Sequence, residues 1–177
     1  IELSPHDAEA HYNLGVTLQE LGRFEEAGAR YRQAISLEPG FAEAHNNLGM
    51  TFQKMGKLSN AEASYRKAVA LKPSYVDAHY NLGIMLQHLN KLDEAEASYR
   101  QVITLNPDYY EAHSNLGNTL RKLNRLDEAE ISYKQAIIVK PDYAEAHNDL
   151  GVTLKDLGKL AEAEASYRKA IRSEDSR

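Results

Sequence analysis

The run His11-Tyr12-Asn13-Leu14-Gly15 has counterparts beginning at His45, His79, His113 and His147, each 34 residues after the last. A fixed period of that length leaves room for two short helices and two turns. Such a unit cannot bury its own apolar face, so each must stack on the next. The period therefore predicts architecture along most of the chain, and function has to be sought in what varies between repeats.

Positions 1 to 34 are counted from Ala8, Ala42, Val76, Tyr110 and Ala144. Position 7 is always Leu, position 8 is always Gly, and position 11 is Leu18, Phe52, Leu86, Leu120 and Leu154. With the His at position 4 these residues have the spacing of one helical face. A second amphipathic helix follows, with Ala27, Ala61, Ala95, Ala129 and Ala163 at position 20 and Tyr31, Tyr65, Tyr99, Tyr133 and Tyr167 at position 24. Gly at position 8 and Ala at position 20 let the two helices approach closely, with the Tyr filling the gap. Position 15 is Gly22, Gly56, Asn90, Asn124 and Gly158, the residue types that tolerate the left-handed conformation ending a helix. Pro39, Pro73, Pro107 and Pro141 at position 32 stop the second helix.

This pattern resembles the tetratricopeptide repeat. In the middle repeat the family's marks are Leu82-Gly83, Ala95, Tyr99, Val102 and Pro107, and the match extends over residues 8–172 without an insertion. One departure is systematic, because the large aromatic common at position 4 is His in every repeat. The resemblance implies an all-α, right-handed superhelical α-solenoid whose first helices line a concave groove. The register divides the chain into a remnant of a preceding repeat, 1–7, and five repeats at 8–41, 42–75, 76–109, 110–143 and 144–177, the last degenerate after 172. No linker interrupts this single array.

Composition narrows the classes. The net charge of −5 disfavours a nucleic-acid binder. The second repeat is basic, with Lys54, Lys57, Arg66, Lys67 and Lys72 against Glu43 and Glu62, and its two neighbours are acidic; ordinary solvated surface accounts for this. Zero cysteines removes disulfides and thiolate metal sites. No apolar run reaches the length of a membrane span or a signal-peptide core. These features point to a soluble, cytoplasmic chain with no membrane insertion.

The His column invites a metal reading. Stacked helices lie roughly 8–10 Å apart, whereas zinc ligands must lie about 2 Å from one ion, so a ladder of single histidines cannot chelate. Its expected role is a packed ring with a hydrogen-bonded nitrogen. Ser64, Ser98, Ser132 and Ser166 recur at position 23, where repetition argues for packing, and no glycine-rich phosphate loop is present. The expectation is a chain with no enzymatic activity, no cofactor and no metal.

Positions 2, 5, 6, 9, 12 and 13 form the first-helix face opposite the packed seam, which the resemblance implies is the groove. Candidate peptide-binding residues there are Tyr12, Asn13, Val16, Asn47, Met50, Lys54, Tyr80, Asn81, Ile84, His88, Asn115, Asn118, Arg121 and Lys122. An Asn side chain both donates and accepts, so a row of them can hold an extended peptide backbone of any sequence. Half-burial between neighbouring helices is the competing account of the apolar residues at position 9. The chaperone-tail clamps of the family need basic residues at positions 2, 5 and 6, where this chain carries acids, Asn, Tyr and Ser.

The expected function is a protein–protein interaction scaffold that binds an extended peptide or partner protein. Two alternatives stand beside it. One, implied by resemblance to the superhelical arm of O-linked N-acetylglucosamine transferases and to bacterial multi-repeat proteins, is the substrate-selecting arm of a larger transferase. The other is weak end-to-end self-association, in which Tyr167, Ala170 and Ile171 at one end meet the first helix of the Ala8 repeat at the other.

Overall fold

A computed structural model describes residues 7–174, and all their regular secondary structure is helical. The helices are α1 (Ala8–Glu20), α2 (Phe24–Leu37), α3 (Ala42–Lys54), α4 (Leu58–Leu71), α5 (Val76–His88), α6 (Leu92–Leu105), α7 (Tyr110–Lys122), α8 (Leu126–Val139), α9 (Ala144–Asp156) and α10 (Leu160–Glu174). The amino-terminal remnant up to His6, with Leu3 and Pro5, lies outside the described residues. The chain forms two compact units that divide after Met85, within α5. In the first, α1 pairs with α2, α3 with α4, and α2 packs on α3. In the second, α7 pairs with α8, α9 with α10, α6 packs on α7 and α8 on α9. Each unit is thus a stack of helix-turn-helix repeats, an all-α solenoid architecture.

The punctuation works as its chemistry requires. Asp7 caps α1, its carboxylate accepting from the Ala10 amide at 3.1 Å. Gly22, Gly56, Asn90, Asn124 and Gly158 all have positive φ, between 58° and 76°. That conformation lets the Gly22 amide reach Gln19 O and the Arg23 amide reach Leu18 O, satisfying carbonyls at the end of α1.

The core is an interlock between position 8 and position 24. A Cβ on Gly49 would lie 2.7 Å from Cε1 of Tyr65, and one on Gly117 would lie 2.7 Å from Cε1 of Tyr133. Gly15 meets Tyr31 and Gly151 meets Tyr167 in the same way. The phenol ring occupies the volume that any side chain on the first helix would need. Tyr31, Tyr65 and Tyr133 are fully buried, while Tyr167, on the last helix, is half-buried. Tyr75, Tyr109 and Tyr143, at position 34 beside the turn between repeats, are also only half-buried.

The histidines fasten the preceding turn to the first helix. Nε2 of His45, His79, His113 and His147 lies 3.3, 2.9, 2.8 and 2.9 Å from the carbonyl oxygen of the proline six residues earlier. A carbonyl can only accept, so each ring carries its proton on Nε2. The position-23 serines are buried, and Ser64, Ser98 and Ser132 donate to the carbonyl four residues back. Their hydroxyls serve the helix.

A ladder of ion pairs joins successive second helices in the second unit. Glu96 receives Arg100 of its own helix at 2.9 Å and Arg125 of the next repeat at 2.6 Å. Glu130 receives Lys134 of its own helix and Lys159 of the next repeat. Burial alone would raise the Glu130 carboxyl, but the two ammonium groups outweigh it and hold the carboxyl below its usual range. The sequence reading did not foresee this ladder, which runs through positions 16, 21 and 25.

Replacing Gly49 by Ala tests the interlock. In an open helix that change adds stability of about 0.5–1 kcal/mol. Here it should cost roughly 1–3 kcal/mol through overpacking against the Tyr65 ring. Urea unfolding measures the difference, and a gain in stability would show that the ring does not need the glycine.

Candidate functional site

In the first unit the candidate face is built by α1, α3 and α5 up to Met85. Tyr12, Val16, Asn47, Met50, Tyr80, Asn81 and Ile84 are half-buried on it, and Asn13 and Lys54 are exposed. The apolar residues at position 9 are therefore neither core nor free surface. Tyr12 packs at a tilt against both Tyr31 and Phe41, with ring centroids 5.9 and 4.9 Å away.

The amides of this face are wired to one another. Asn47 Nδ2 donates to the Tyr12 hydroxyl at 3.1 Å, and Asn47 Oδ1 accepts from Asn46 Nδ2 at 3.3 Å. Asn46 Oδ1 in turn accepts from Asn81 Nδ2 at 3.0 Å. One continuous chain of hydrogen bonds thus crosses α1, α3 and α5. Asn46, at position 5 and buried, is its centre, and was not among the expected residues. The only sequence signal at Asn46 was an amide standing where Tyr12 and Tyr80 stand in the adjacent repeats.

Positions 10 and 12 underpin the face. Thr51 is fully buried, 2.9 Å from the Asn47 carbonyl and 3.1 Å from Gln19 Oε1. The same Gln19 oxygen accepts from the Tyr31 hydroxyl at 3.1 Å, and Tyr65 donates to Gln53 Oε1 at 2.9 Å. Burial pushes the Tyr31 phenol up to about 12, so it stays a donor at neutral pH. The residues behind the face hold it still.

The second unit presents His88, at the end of α5, and Asn115, Asn118, Arg121 and Lys122 on α7. His88 and Lys122 are exposed and the other three half-buried. Here Arg121 and Lys155 replace the Gln of position 12, and the Tyr133 hydroxyl turns instead to Asn118 Oδ1 at 2.7 Å. Asp149 stands at position 6 of α9 where the other four repeats have Asn. Burial pushes its carboxyl above the usual carboxylate range, and Glu145 acts in the same direction. Arg121 and hydrogen bonds from Asn148 and Asn118 offset only part of that shift. Among the described residues no group of three or more His, Asp or Glu side chains is placed to hold a metal ion, and no helix is long and apolar enough to cross a membrane.

Tetratricopeptide repeat patterns match residues 1–29, 42–75, 76–109, 98–131 and 144–176, and TPR repeat patterns match 18–56 and 117–158. The chain belongs to the tetratricopeptide repeat (TPR) family. TPR units are in general non-catalytic modules for binding proteins and peptides. The TPR chain is similar to the crystal structure of MamA, with 26% identity and a TM-score of 0.87 over 92% of this chain and 95% of that one. It is similar also to YrrB, described as a TPR protein with an unusual peptide-binding site, with 26% identity and a TM-score of 0.84 over 95% and 87%. MamA 41-end from Desulfovibrio magneticus RS-1 shares the TPR fold at 20% identity, with a TM-score of 0.89 over 96% of each chain. No curated protein matches the sequence.

Asp149 yields a signed prediction. A carboxyl whose folded pKa is raised stabilises the fold only while protonated, and that contribution is lost as pH rises from the ordinary Asp value near 3.9 through the raised one. At neutral pH its charge therefore opposes folding. Asp149→Asn should melt higher than wild type at pH 7, and the advantage should vanish below about pH 4. A pair of thermal melts across this range decides the matter, and an advantage that persists at low pH would refute the assignment.

Proposed function

We propose that this protein is a scaffold whose first-helix faces bind an extended segment of a partner protein. The observation that carries this reading is the hydrogen-bond chain from Tyr12 through Asn47 and Asn46 to Asn81. An Asn amide has two N–H donors and two acceptor lone pairs. Asn47 donates to Tyr12 and accepts from Asn46 within the chain and also acts on the Tyr31 phenol, which leaves an acceptor lone pair on an amide already fixed in direction. A peptide backbone presents one donor and one acceptor per residue, so it can pair with such a row whatever its side chains. Because the amides are oriented before the peptide arrives, binding need not bear the cost of ordering them.

Apolar contacts supplement the amides. Val16, Met50 and Ile84 are partly open on the same face, beside the exposed Asn13, and would receive alternate side chains of the peptide. The face of the second unit is more charged, with Arg121, Lys122 and His88 around Asn115 and Asn118. Peptide binding by YrrB, stated of that protein, lends support by likeness.

Peptides selected against the purified protein from a random display library test the proposal. Asn81→Ala and Asn13→Ala should each weaken a selected peptide by about three- to tenfold, the worth of one net hydrogen bond of roughly 0.5–1.5 kcal/mol. Helicity should be unchanged, and exposed Asn13 separates a binding loss from a folding loss. Selected peptides indifferent to both changes and to Ile84→Ala would remove the face from consideration. A collapse of the melt in Asn47→Ala/Asn81→Ala, with no binding change in Asn13→Ala, would make the amide chain structural.

A further inference from the structure

Helix α8 departs from the other second helices at two positions. Position 22 is Ala29, Ala63, Ala97 and Ala165 elsewhere, but Ile131 here; position 29 is Ser36, Ala70, Thr104 and Arg172 elsewhere, but Ile138 here. Seven residues apart, the two share one face of the helix. Both are turned to water, Ile131 being 67% exposed and Ile138 69%. Neither the glycine–tyrosine interlock nor the ion-pair ladder uses them. This face belongs to the second helix of its repeat, whereas the amide row runs along first helices.

The surface on either side of α8 is grooved. Between α8 and α10, over α9, a groove of about 400 Å³ is lined by Ile137, Ile138, Leu150 and Leu154, with Lys134 and Lys169 among its polar residues. Between α6 and α8, over α7, a second groove of about 360 Å³ includes Ile103, Leu116 and Ile131, with Arg100. The charged side chains lining the two are Arg100, Lys134 and Lys169 against Glu162 alone. Arg100 is balanced by Glu96 and Glu128. Lys134 shares the single carboxylate of Glu130 with Lys159, which Glu162 and Asp127 also face. Lys169 has no ion pair among the described residues. The lining at the Ile138 end of the stripe, with Lys134 and Lys169 against Glu162, is therefore basic and the Ile131 end balanced.

We infer that the outer face of α8 docks an amphipathic helix of a partner protein, its apolar seam lying over Ile131 and Ile138 and its carboxylates beside Lys134 and Lys169. Apolar anchors at helical spacing and an opposite charge beside them are what helix-in-groove recognition requires. A second copy of this chain fits less well. Antiparallel pairing of two α8 helices would set Ile131 on Ile138, but it would also place the two copies' Lys134 side chains opposite each other at the centre.

The probe is a short fluorescein-labelled helix with a Leu seam and Glu on its flanks, beside a twin carrying Lys in place of Glu. Fluorescence anisotropy with the whole chain should show binding of the acidic helix only, weakening with added salt. Ile131→Ala with Ile138→Ala, which restores small residues at both positions, should weaken it roughly tenfold or more while leaving the melting temperature unchanged. Lys169→Glu should weaken it severalfold and flatten the salt dependence, and Asn81→Ala, in the amide row of the first unit, should have no effect. Equal binding of the two probes, or indifference to the double alanine change, would overturn the inference. So would a dimer, seen by sedimentation, that the double change abolishes, since a second copy would then occupy the face.

Discussion

Everything in this structure depends on an absent methyl group. Because position 8 has no Cβ, the tyrosine ring of the following helix can lie directly against the first helix's backbone. The contact fixes the distance between the two helices and closes the interior to water. Once the ring is there, its hydroxyl must find a partner, and it finds one in Gln19, Gln53 or Asn118 according to the repeat. The identity of position 12 thus feeds back on position 9. Where Gln gives way to Arg121, Asn118 takes over as acceptor. A packing constraint is in this way converted into a choice of polar residue on the face beyond it.

The same logic joins fold to function. Position 10 sits directly behind the amide row, and buried Thr51 lies within hydrogen-bond distance of both the Asn47 carbonyl and the Gln19 side chain. The asparagines are accordingly held on two sides, by the core beneath and by their neighbours in the row. In the second unit this arrangement gives way to charge, and Asp149 with Arg121 replaces the neutral amide pairing. The two faces are built on one frame with different chemistry.

The fold could be read from the sequence because its determinants recur. Gly15 and Tyr31 recur unchanged at 34 residues and Gly22 recurs as Gly or Asn, so that five copies reinforce one reading, and four of the five histidines make the ring hydrogen bond that their register suggested. The wiring of the site was less legible. Tyr12 and Asn47 are 35 residues apart, as are Asn46 and Asn81, and whether they meet depends on how consecutive first helices lean on each other. Asn46 sits in a column with no consensus, so periodicity gave it no weight. Glu130 and its two lysines could have been found, since positions 16, 21 and 25 are charged in nearly every repeat, but a charged column reads as solvated surface until burial is known. The exception is Gly28 at position 21 of the first repeat, which offers no carboxylate.

The shared carboxylates have a consequence for how such chains can change over time. Glu96 and Glu130 each bind a cation from their own helix and one supplied 29 residues further on. Duplication or loss of a whole repeat brings an equivalent cation to the same place and leaves every bridge closed. An insertion of any other length shifts the incoming cation out of phase and strands a carboxylate between helices. Copy number is therefore free to drift in evolution, whereas phase is locked.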